Sequence, residues 1–408
     1  MDRQQAARCQ VWVGIDTGKQ AHHAAAVDAD GQLLWSRRVV NDQAAIQELI
    51  TKATATAGGV CWAVDLTCSS AALLLALLVE AGQRVVYVPG RTVNRMAGAF
   101  AGEAKTDRKD AAVIAQTARM RRDLLPARPK QELVAELALL VGHRRDLMAD
   151  LVRMVTRLRG LLTASFPGLE RCFDFTSRSA LMLVSRYQTP EALRAQGRRR
   201  LRAWLRRQVP TQLSDTRVEQ MADTALSAAA AQTVRLPAQA TTAQLIAQLA
   251  SDLLALDRRL KELDKTIAQR LTGHPQAKII TSLPGMGPLL AAELLVTVGD
   301  LSTFPDAGHL AAYAGLAPVP RDSGRRTNNL HPPKRYNRML RRVFYLSALS
   351  SLSTSGPNRD YYQRKRAEGR KHQQALMALA RRRVDVLWAL LRDNRCFELS
   401  APIKTTTA

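Results

Sequence analysis

The sequence has little of what marks several common protein classes. Its five cysteines are scattered and form no CxxC pair, which argues against a disulfide framework and against a cysteine-based zinc site. The seven histidines show no metal-ligand spacing and are interpreted as structural. No GxxxxGK[ST] motif supports ATP-driven chemistry. No apolar run is long enough to span a membrane, and the N-terminus MDRQQAARC has no apolar signal-peptide core, so we expect a soluble, cytoplasmic protein.

Acidic residues are also scarce relative to basic ones. Thirty-five Asp and Glu face sixty Lys and Arg, so the formal net charge is +25 over 408 residues. Basic side chains that neutralise phosphates release counterions, so this surplus favours a polyanionic partner, and nucleic acid is the leading candidate. The length suits two or three domains with separate cores. We expect a protein that associates with DNA and hence with the nucleoid.

The first 127 residues alternate between strand and helix signals. Three apolar runs with a DADGQ turn between the second and third predict a meander of strands in QVWVGID, HHAAAVDA and LLWSRRVV. A predicted helix near residues 43–55 is followed by strand, helix and strand patterns in GVCWAVDL, SSAALLLALLVEAG and RVVYVP. A meander followed by βαβ units predicts a mixed sheet flanked by helices, in an α/β domain spanning residues 1–127.

Residues 128–275 carry a different apolar pattern. Apolar residues recur at three- and four-residue spacing near 133–161 and again near 245–267, which predicts a helical region with two coiled-coil arms. Between the arms lies an insert with the basic run RAQGRRRLRAWLRR, which fits contact with phosphates and a solvated helix face about equally well. The remaining region, residues 276–400, is predicted to be mainly helical.

Two aspartates close predicted strands, and two more open a predicted helix. Asp16 ends VGID and Asp65 ends CWAVD, so each carboxylate leaves a buried strand at its carboxyl end. Asp107 and Asp110 are neighbours on one helical face and repel each other unless a positive charge lies between them. Helix capping explains any one acid alone, but the four together predict a site for two Mg²⁺ ions about 4 Å apart, which suits phosphodiester chemistry. Strand-end acids followed by a helical pair is the order found in RNase H-like nucleases.

Several motifs resemble those of one family of mobile-element proteins. The stretches that resemble the RuvC-like N-terminal domain of insertion-sequence-110 family transposases are GIDTGK, AVDLT, VVYVPGRTVNR and KTDRKDA. Those that resemble the C-terminal transposase domain of the same family are SLPGMGPLLAAELL, LAAYAGLAPVPRDSGRR and YNRMLRRVFYLSALSSL. The resemblance covers most of the chain and implies a bridge-RNA-guided DNA recombinase. The four acids of that family are usually Asp, Glu, Asp and Asp, whereas this chain has Asp65 in second place.

The loop LAPVPRDSGRRTNN places a serine among arginines. Ser323 is followed by Gly324 and is flanked by Arg321, Arg325 and Arg326. Arginines can hold a phosphate beside a serine hydroxyl and stabilise charge during its attack, although a Ser-Gly turn in a basic loop is most often only a loop. The resemblance favours the first interpretation, because the matching serine of the family is the nucleophile that joins covalently to DNA. Ser323 is therefore the predicted nucleophile.

Two further segments are predicted to contact nucleic acid. In LPGMGP, Gly285 and Gly287 would let backbone N–H groups meet a phosphate at a helix N-terminus, and the alternative is a tight turn between helices. The second segment places basic residues on a helix with Tyr336 available for stacking, and here a solvated surface is the alternative. Its basic residues are Lys334, Arg335, Arg338, Arg341 and Arg342.

Together these features predict a transposase, a site-specific DNA recombinase whose composite site joins the serine to the four aspartates. The resemblance implies a guide RNA that pairs with target and donor DNA, and the predicted arms suggest a homo-oligomer, either a dimer or a tetramer. Two alternatives stay open. One is a metal-only, junction-resolving nuclease in which water attacks, and the other is a non-catalytic nucleic-acid-binding protein.

Overall fold

A computed structural model describes residues 9–56, 58–66, 69–100, 106–127, 131–208, 214–299, 301, 304–324, 327 and 329–398. The chain divides into two compact units, residues 1–131 and 132–408. The predicted division into three domains, with boundaries after residues 127 and 275, stays a prediction. Over the described ranges, no helix is both long enough and apolar enough to cross a membrane.

The first unit is an α/β domain built on a five-stranded sheet. Its strands are β1 (Val11–Asp16), β2 (Ala21–Val27), β3 (Leu33–Val40), β4 (Val60–Val64) and β5 (Arg84–Tyr87). Its helices are α1 (Gln43–Thr56), α2 (Ala72–Glu80), α3 (Gly90–Ala97) and α4 (Asp107–Met120). The strand order is β3-β2-β1-β4-β5, in which β2 is antiparallel to β1 and β3, whereas β4 is parallel to β1 and β5. The predicted mixed sheet is confirmed, while its RNase H-like assignment stays a prediction.

Helices cover both faces of this sheet because side chains alternate along its strands. Ile15 and Trp62 lie on one face, in a core shared with α1 and α2. Cys61 and Ala63 lie on the opposite face, in a core shared with α3 and α4. Strands buried on both faces need apolar residues at successive positions, which explains the continuous apolar runs of β1 and β4.

The second unit is mainly helical where it is described, as predicted. Its first helices are α5 (Glu132–Ser165), α6 (Pro167–Cys172), α7 (Arg178–Arg186), α8 (Pro190–Gln208), α9 (Asp215–Ala230) and α10 (Gln239–Leu271). Its later helices are α11 (Ala277–Ser282), α12 (Pro288–Val298), α13 (Ala307–Tyr313), α14 (Arg338–Ser350), α15 (Pro357–Ala367) and α16 (His372–Arg392). Between α13 and α14 runs a short antiparallel ribbon of β6 (Val319–Pro320) and β7 (Leu330–His331).

The two heptad-bearing stretches are the long helices α5 and α10, which pack against each other inside the chain. Arg144 of α5 pairs with Asp264 of α10, with 2.5 Å between Nε and Oδ1. Farther along α5, Leu158 shares a core with Leu253. As the position rises along α5 it falls along α10, so the pair is antiparallel. Coiled-coil geometry and assembly of copies through these helices stay predictions.

The insert between these helices packs around a core that it shares with both of them. Phe175 and Tyr187 are buried there together with side chains from the end of α5 and the start of α10. Gln232, near the end of the insert, donates a hydrogen bond of 2.8 Å from Nε2 to the carbonyl of Ser165, the last residue of α5. The chain therefore leaves α5 and returns toward α10 at neighbouring points.

The basic run of the insert is partly neutralised from within. Three arginines spaced four residues apart on α8 face three acids with the same spacing on α9. The ion pairs are Arg198–Asp223, Arg202–Glu219 and Arg206–Asp215. The sequence suggested contact with phosphates or a solvated helix face; this ladder is a third arrangement, because the acids that pair with these three arginines all lie in α9.

Candidate active site

Asp16 and Asp65 end neighbouring parallel strands. β1 and β4 are in register with Ile15 opposite Val64, so the next residue of each strand, the aspartate, leaves the sheet at the same edge. Ile15 and Val64 belong to the core on the face covered by α1 and α2. Because side chains alternate, the two aspartates point to the other face, where α4 lies.

Helix α4 approaches that face at an unusually short distance. A Cβ atom on Gly14 of β1 would lie 2.3 Å from both the carbonyl oxygen of Ala111 and the amide nitrogen of Ala115, so the crossing requires a residue without a side chain. Toward the other end of α4, Gln116 donates a hydrogen bond of 2.5 Å from Nε2 to the carbonyl of Gly31, in the turn between β2 and β3. Packing and hydrogen bonding thus fix α4 along β1.

The first turn of α4 carries the remaining two predicted acids. Thr106 caps the helix, since its Oγ1 accepts a hydrogen bond of 3.2 Å from the amide of Lys109. Asp107 is exposed and Asp110 is half-buried. Capping is therefore performed by the threonine, which leaves both carboxylates available for another role, although negative charge also suits a helix N-terminus.

Electrostatics connect this helix turn to Asp65. Burial raises the pKa of the Asp65 carboxyl, a hydrogen bond of 3.0 Å from Thr17 Oγ1 opposes that change, and the negative charge of Asp110 reinforces it. A nearby cation would act against both the burial effect and the repulsion, and carboxylate oxygens are the ligands that Mg²⁺ prefers. The chemistry of these donors therefore fits the predicted metal. In the described parts of the chain, no three His, Cys, Asp or Glu side chains are grouped closely enough to hold an ion as they stand.

His23 belongs to the same corner of the sheet, which the sequence did not reveal. It lies directly opposite Asp16 in the pairing of β1 with β2, and its Nε2 is 2.8 Å from Ser36 Oγ. Burial lowers the pKa of His23, while the charge of Asp107 raises it. The only signal for this placement is the cross-strand register, which depends on how the turn between the two strands is made.

Ser323 lies in the second unit, in the loop that the ribbon of β6 and β7 presents to solvent. Backbone pairing continues past the strands, with the amide of Arg321 donating to the carbonyl of Asn329 at 2.9 Å. Asp322 Oδ1 then accepts a hydrogen bond of 2.8 Å from the amide of Asn329. Ser323 follows this closure and is exposed. The serine is thus accessible to a large substrate.

The surroundings of Ser323 are only partly described. Gly324 has φ of +55°, in the left-handed region that glycine adopts without strain. Arg321 is exposed beside the serine. Arg325 and Arg326, predicted to hold a phosphate there, lie outside the described residues.

The two glycines of LPGMGP have different roles. Gly285 has φ of +77°, and a Cβ on it would lie 2.5 Å from the carbonyl oxygen of Ser347 and 2.7 Å from the amide nitrogen of Ser351, so this glycine is required by packing against the end of α14. Gly287 is exposed at the N-cap of α12, with open space where its Cβ would be. The contact with phosphate predicted for both glycines stays a prediction, and Gly287 is the one with free surroundings.

A buried arginine forms hydrogen bonds that connect this turn to α14. Arg383 of α16 is 1% exposed, and its Nη2 donates to the carbonyl of Pro284 at 2.5 Å and to Ser347 Oγ at 2.6 Å. Burial lowers the pKa of Arg383 to about 10. The sequence shows α16 as an ordinary amphipathic helix, so the central position of this guanidinium was missed.

The predicted basic segment is divided between internal and exposed side chains. Arg342 forms an ion pair of 2.5 Å with Glu293, whose side chain is 7% exposed. Arg341 lies 4.5 Å above the ring of Tyr336, so this ring already has a stacking partner within the protein. Lys334, Arg335 and Arg338 are exposed, as is Arg342 in spite of its ion pair, and Lys334 and Arg335 precede α14. Lys334, Arg335 and Arg338 are the members of the set most accessible to nucleic acid.

Comparisons with known proteins match both units. The family model described as Transposase matches residues 13–167, and the one described as Transposase IS116/IS110/IS902 family matches residues 277–363. The uncharacterized 44.8 kDa protein of insertion element IS116 from Streptomyces clavuligerus is 54% identical over 97% of this chain and 98% of its own length. The uncharacterized 42 kDa protein of insertion element IS900 from Mycobacterium paratuberculosis is 48% identical over 98% of this chain and 99% of its own. The pilin gene-inverting protein of Moraxella lacunata is 29% identical over 34% of this chain and 45% of its own.

Proposed function

This chain belongs to the IS110 family of insertion-sequence transposases, and from that premise we propose that it is a site-specific recombinase that cuts and rejoins DNA through a phosphoserine link. Family membership makes it a DNA-processing enzyme of transposition in general terms. The covalent intermediate, the metal, the guide RNA and the assembly described below are parts of the proposal.

The observation that carries the proposal is that Asp16 and Asp65 leave the same edge of the sheet, with Asp110 close enough to Asp65 to act on its pKa. Asp65 is half-buried, its pKa is raised by burial, and Asp110 adds repulsion. Such a corner favours occupation by cations. In the proposal two Mg²⁺ ions are held by Asp16, Asp65, Asp107 and Asp110, and when bound they would stabilise negative charge on the oxygens of the attacked phosphate.

Ser323 supplies the nucleophile in this proposal. Its Oγ gives up its proton and attacks the phosphorus of a scissile phosphodiester, and the bond from phosphorus to the departing sugar oxygen breaks as the new bond forms. The departing oxygen takes up a proton and leaves as a hydroxyl. A sugar hydroxyl of another strand then attacks the phosphoserine and releases the serine. Each step exchanges one phosphate ester for another, so recombination needs no ATP, in keeping with the lack of a P-loop motif.

The serine and the aspartates belong to different compact units, and in the proposal both act on one phosphodiester, within a chain or between copies. A dimer or tetramer would supply two or more such composite sites for the strands of a junction. A guide RNA would select target and donor DNA by base pairing, while basic side chains contact the phosphate backbone. This division of labour suits a chain with net charge +25.

The proposal is tested by trapping the covalent intermediate. Purified protein with its co-purified RNA is incubated in Mg²⁺ with end-labelled DNA that carries the element's junction, and the products are separated on a denaturing gel. The expected result is a protein–DNA adduct that is absent in Ser323→Ala and in Asp107→Asn. Ser353→Ala, which changes another exposed serine of the same unit, is the matched control and should form the adduct normally.

Each other outcome favours a different function. Cleaved DNA without an adduct, unchanged in Ser323→Ala, would identify a nuclease that uses water. An adduct that persists in Ser323→Ala would show that another residue attacks. DNA binding with no cleavage under any junction or guide would favour a non-catalytic binding protein.

A further inference from the structure

Helix α15 and the turn that follows it form an exposed, strongly basic segment outside the predicted sites. None of the helix residues is fully buried. Over residues 357–371 six basic residues outnumber two acids. The basic residues are Arg359, Arg364, Lys365, Arg366, Arg370 and Lys371, and the acids are Asp360 and Glu368. A helix that is polar all round gains little from core burial, so its position depends on a few specific contacts.

One of the contacts that hold α15 in place is made by Tyr361, whose ring packs against the core of the second unit. The guanidinium carbon of Arg364 lies 5.2 Å from the ring centroid, and that of Arg382, from α16, lies 5.0 Å from it. Lys365 Nζ is 5.7 Å away but is paired with Glu368. Among the described residues, neither arginine forms an ion pair. We call Tyr361, Arg364 and Arg382 the Tyr361 cluster.

The cluster holds two cations close together that form no ion pair among the described residues, although the charge of Arg364 also acts on Glu368, whose pKa it helps to lower. Both guanidinium carbons lie within 5.2 Å of one point, so they are no more than about 10 Å apart, within about one Debye length at 0.1 M salt. The aromatic ring offsets part of their repulsion and restricts the space that each guanidinium samples. An arriving polyanion would remove the rest of the repulsion. The ladder between α8 and α9 is the opposite case, because each of its arginines already has a carboxylate.

We propose that the Tyr361 cluster binds two phosphates of the DNA backbone, as a positioning surface separate from the serine loop. The inference rests on the proposed function, since family membership supplies DNA as the substrate. Arginine is suited to this task because its planar guanidinium donates two hydrogen bonds to one phosphate. The ring of Tyr361 holds the two guanidiniums in place before DNA arrives, so less side-chain entropy is lost on binding.

The experiment measures the salt dependence of duplex DNA binding by the full chain with its co-purified RNA. Fluorescence anisotropy titrations from about 50 to about 200 mM salt compare the parent with Arg364→Gln/Arg382→Gln. Each lost phosphate contact lowers the slope of log K against log salt by about 0.9, so we expect a decrease of about 1.8. The ratio of variant to parent Kd should then shrink about tenfold across that range.

The matched control removes the same charge from paired arginines. Arg381→Gln/Arg392→Gln changes residues that pair with Asp385 and Asp393, and we expect a slope close to that of the parent. Tyr361→Phe keeps the ring and should bind as the parent does, whereas Tyr361→Leu should lower the affinity. Equal binding by the phenylalanine and leucine variants would overturn the role of the ring.

The outcomes separate this proposal from the previous one. If the parent binds and cleaves DNA and both double variants show the same slope of log K against log salt as the parent, the phosphate site is wrong and the recombinase proposal stands. The parent could instead form no adduct while the slope of log K against log salt falls in Arg364→Gln/Arg382→Gln as expected. In that case the phosphate site stands and the phosphoserine mechanism fails. Weakened binding of duplex RNA, with DNA binding unchanged, would overturn the assignment to DNA.

Discussion

The acid-bearing edge of the sheet and the serine loop are built in opposite ways. Around Asp16 and Asp65 the chain is held by buried strands, by the glycine crossing at Gly14 and by a capped helix. Ser323 lies in the loop between the two-residue strands β6 and β7 and is exposed, and this loop is closed by a few backbone and side-chain hydrogen bonds. Carboxylates that repel each other need a rigid framework to hold them in place. A nucleophile that attacks a large substrate must be accessible, which an exposed loop provides. Changes at the first region should therefore affect stability, and changes at the second should act locally.

The largest effect on folding is expected from Gly14→Ala. The new Cβ would overlap two backbone atoms of α4, so the helix must move away from β1, at a cost of about 3 kcal/mol in the free energy of unfolding. Chemical denaturation measures this loss. Gly142→Ala is the control, since a Cβ there meets no atom within 4 Å. A parent-like midpoint for Gly14→Ala would show that α4 does not need this close approach.

The next effect is stabilisation by the proposed metal. Mg²⁺ that binds only the folded protein should raise its stability by about 2.7 kcal/mol at a free concentration of 100 Kd. Thermal unfolding with and without Mg²⁺ measures the shift, which should vanish in Asp65→Asn. Asp123→Asn, an exposed acid paired with Arg121 in the same unit, should keep it. An identical shift in all three proteins would place the binding of Mg²⁺ elsewhere.

A smaller, opposite effect is expected from Asp65→Asn without Mg²⁺. Burial raises the pKa of Asp65 in the folded protein, so its contribution to stability is fully present below the unfolded pKa and is lost as the pH rises through the folded pKa. Asparagine carries no charge, so the variant does not lose this contribution to stability as the pH rises. The variant should therefore melt slightly above the parent near pH 7, with the gap closing near pH 3. A gap that widens on acidification would contradict the direction of this pKa.

The smallest global effect is expected from Asp322→Ala in the serine loop. The substitution removes the acceptor for the amide of Asn329 and should weaken loop closure by about 1 kcal/mol. Hydrogen exchange of that amide should accelerate, while the unfolding midpoint stays that of the parent. A lowered midpoint would mean that the loop contributes to the folding of the second unit, and the contrast between the two regions would fail.

The sequence predicts the sheet because its signals are local. Apolar runs ending in Asp16 and Asp65 identify buried strands and their carboxyl ends, and parallel strands bring such ends to one edge. The helix of Asp107 and Asp110 begins at a recognisable cap, Thr106. Family resemblance, rather than periodicity, singled out Ser323, since a serine in a basic loop carries little information of its own.

The features that the sequence did not predict depend on contacts between separate helices and strands. His23 reaches the acid corner through strand register, and Arg383 of α16 is buried where it donates to the turn at Pro284 and to Ser347 of α14. Gly14 reads as one small residue in an apolar strand until the backbone of α4 lies above it. The arginine ladder needed the pairing of α8 with α9, whose acids follow in a later segment of the chain. For Gly14 and Arg383 the deciding partner is far along the chain, whereas His23 and the arginine ladder have partners nearer in sequence that only strand register or helix pairing brings together.

Because α5 and α10 pair in antiparallel fashion, the insert between them begins and ends at one place on the unit. The chain enters and leaves near the hydrogen bond that joins Gln232 to Ser165, and what lies between packs around a core that it shares with the end of α5 and the start of α10. Domain insertion needs chain ends that are close together, and here it also needs the shared core to stay covered. A foreign domain that replaced the insert would therefore need close chain ends and an apolar surface that covers the side chains of α5 and α10 in this core, such as Leu158 and Leu253.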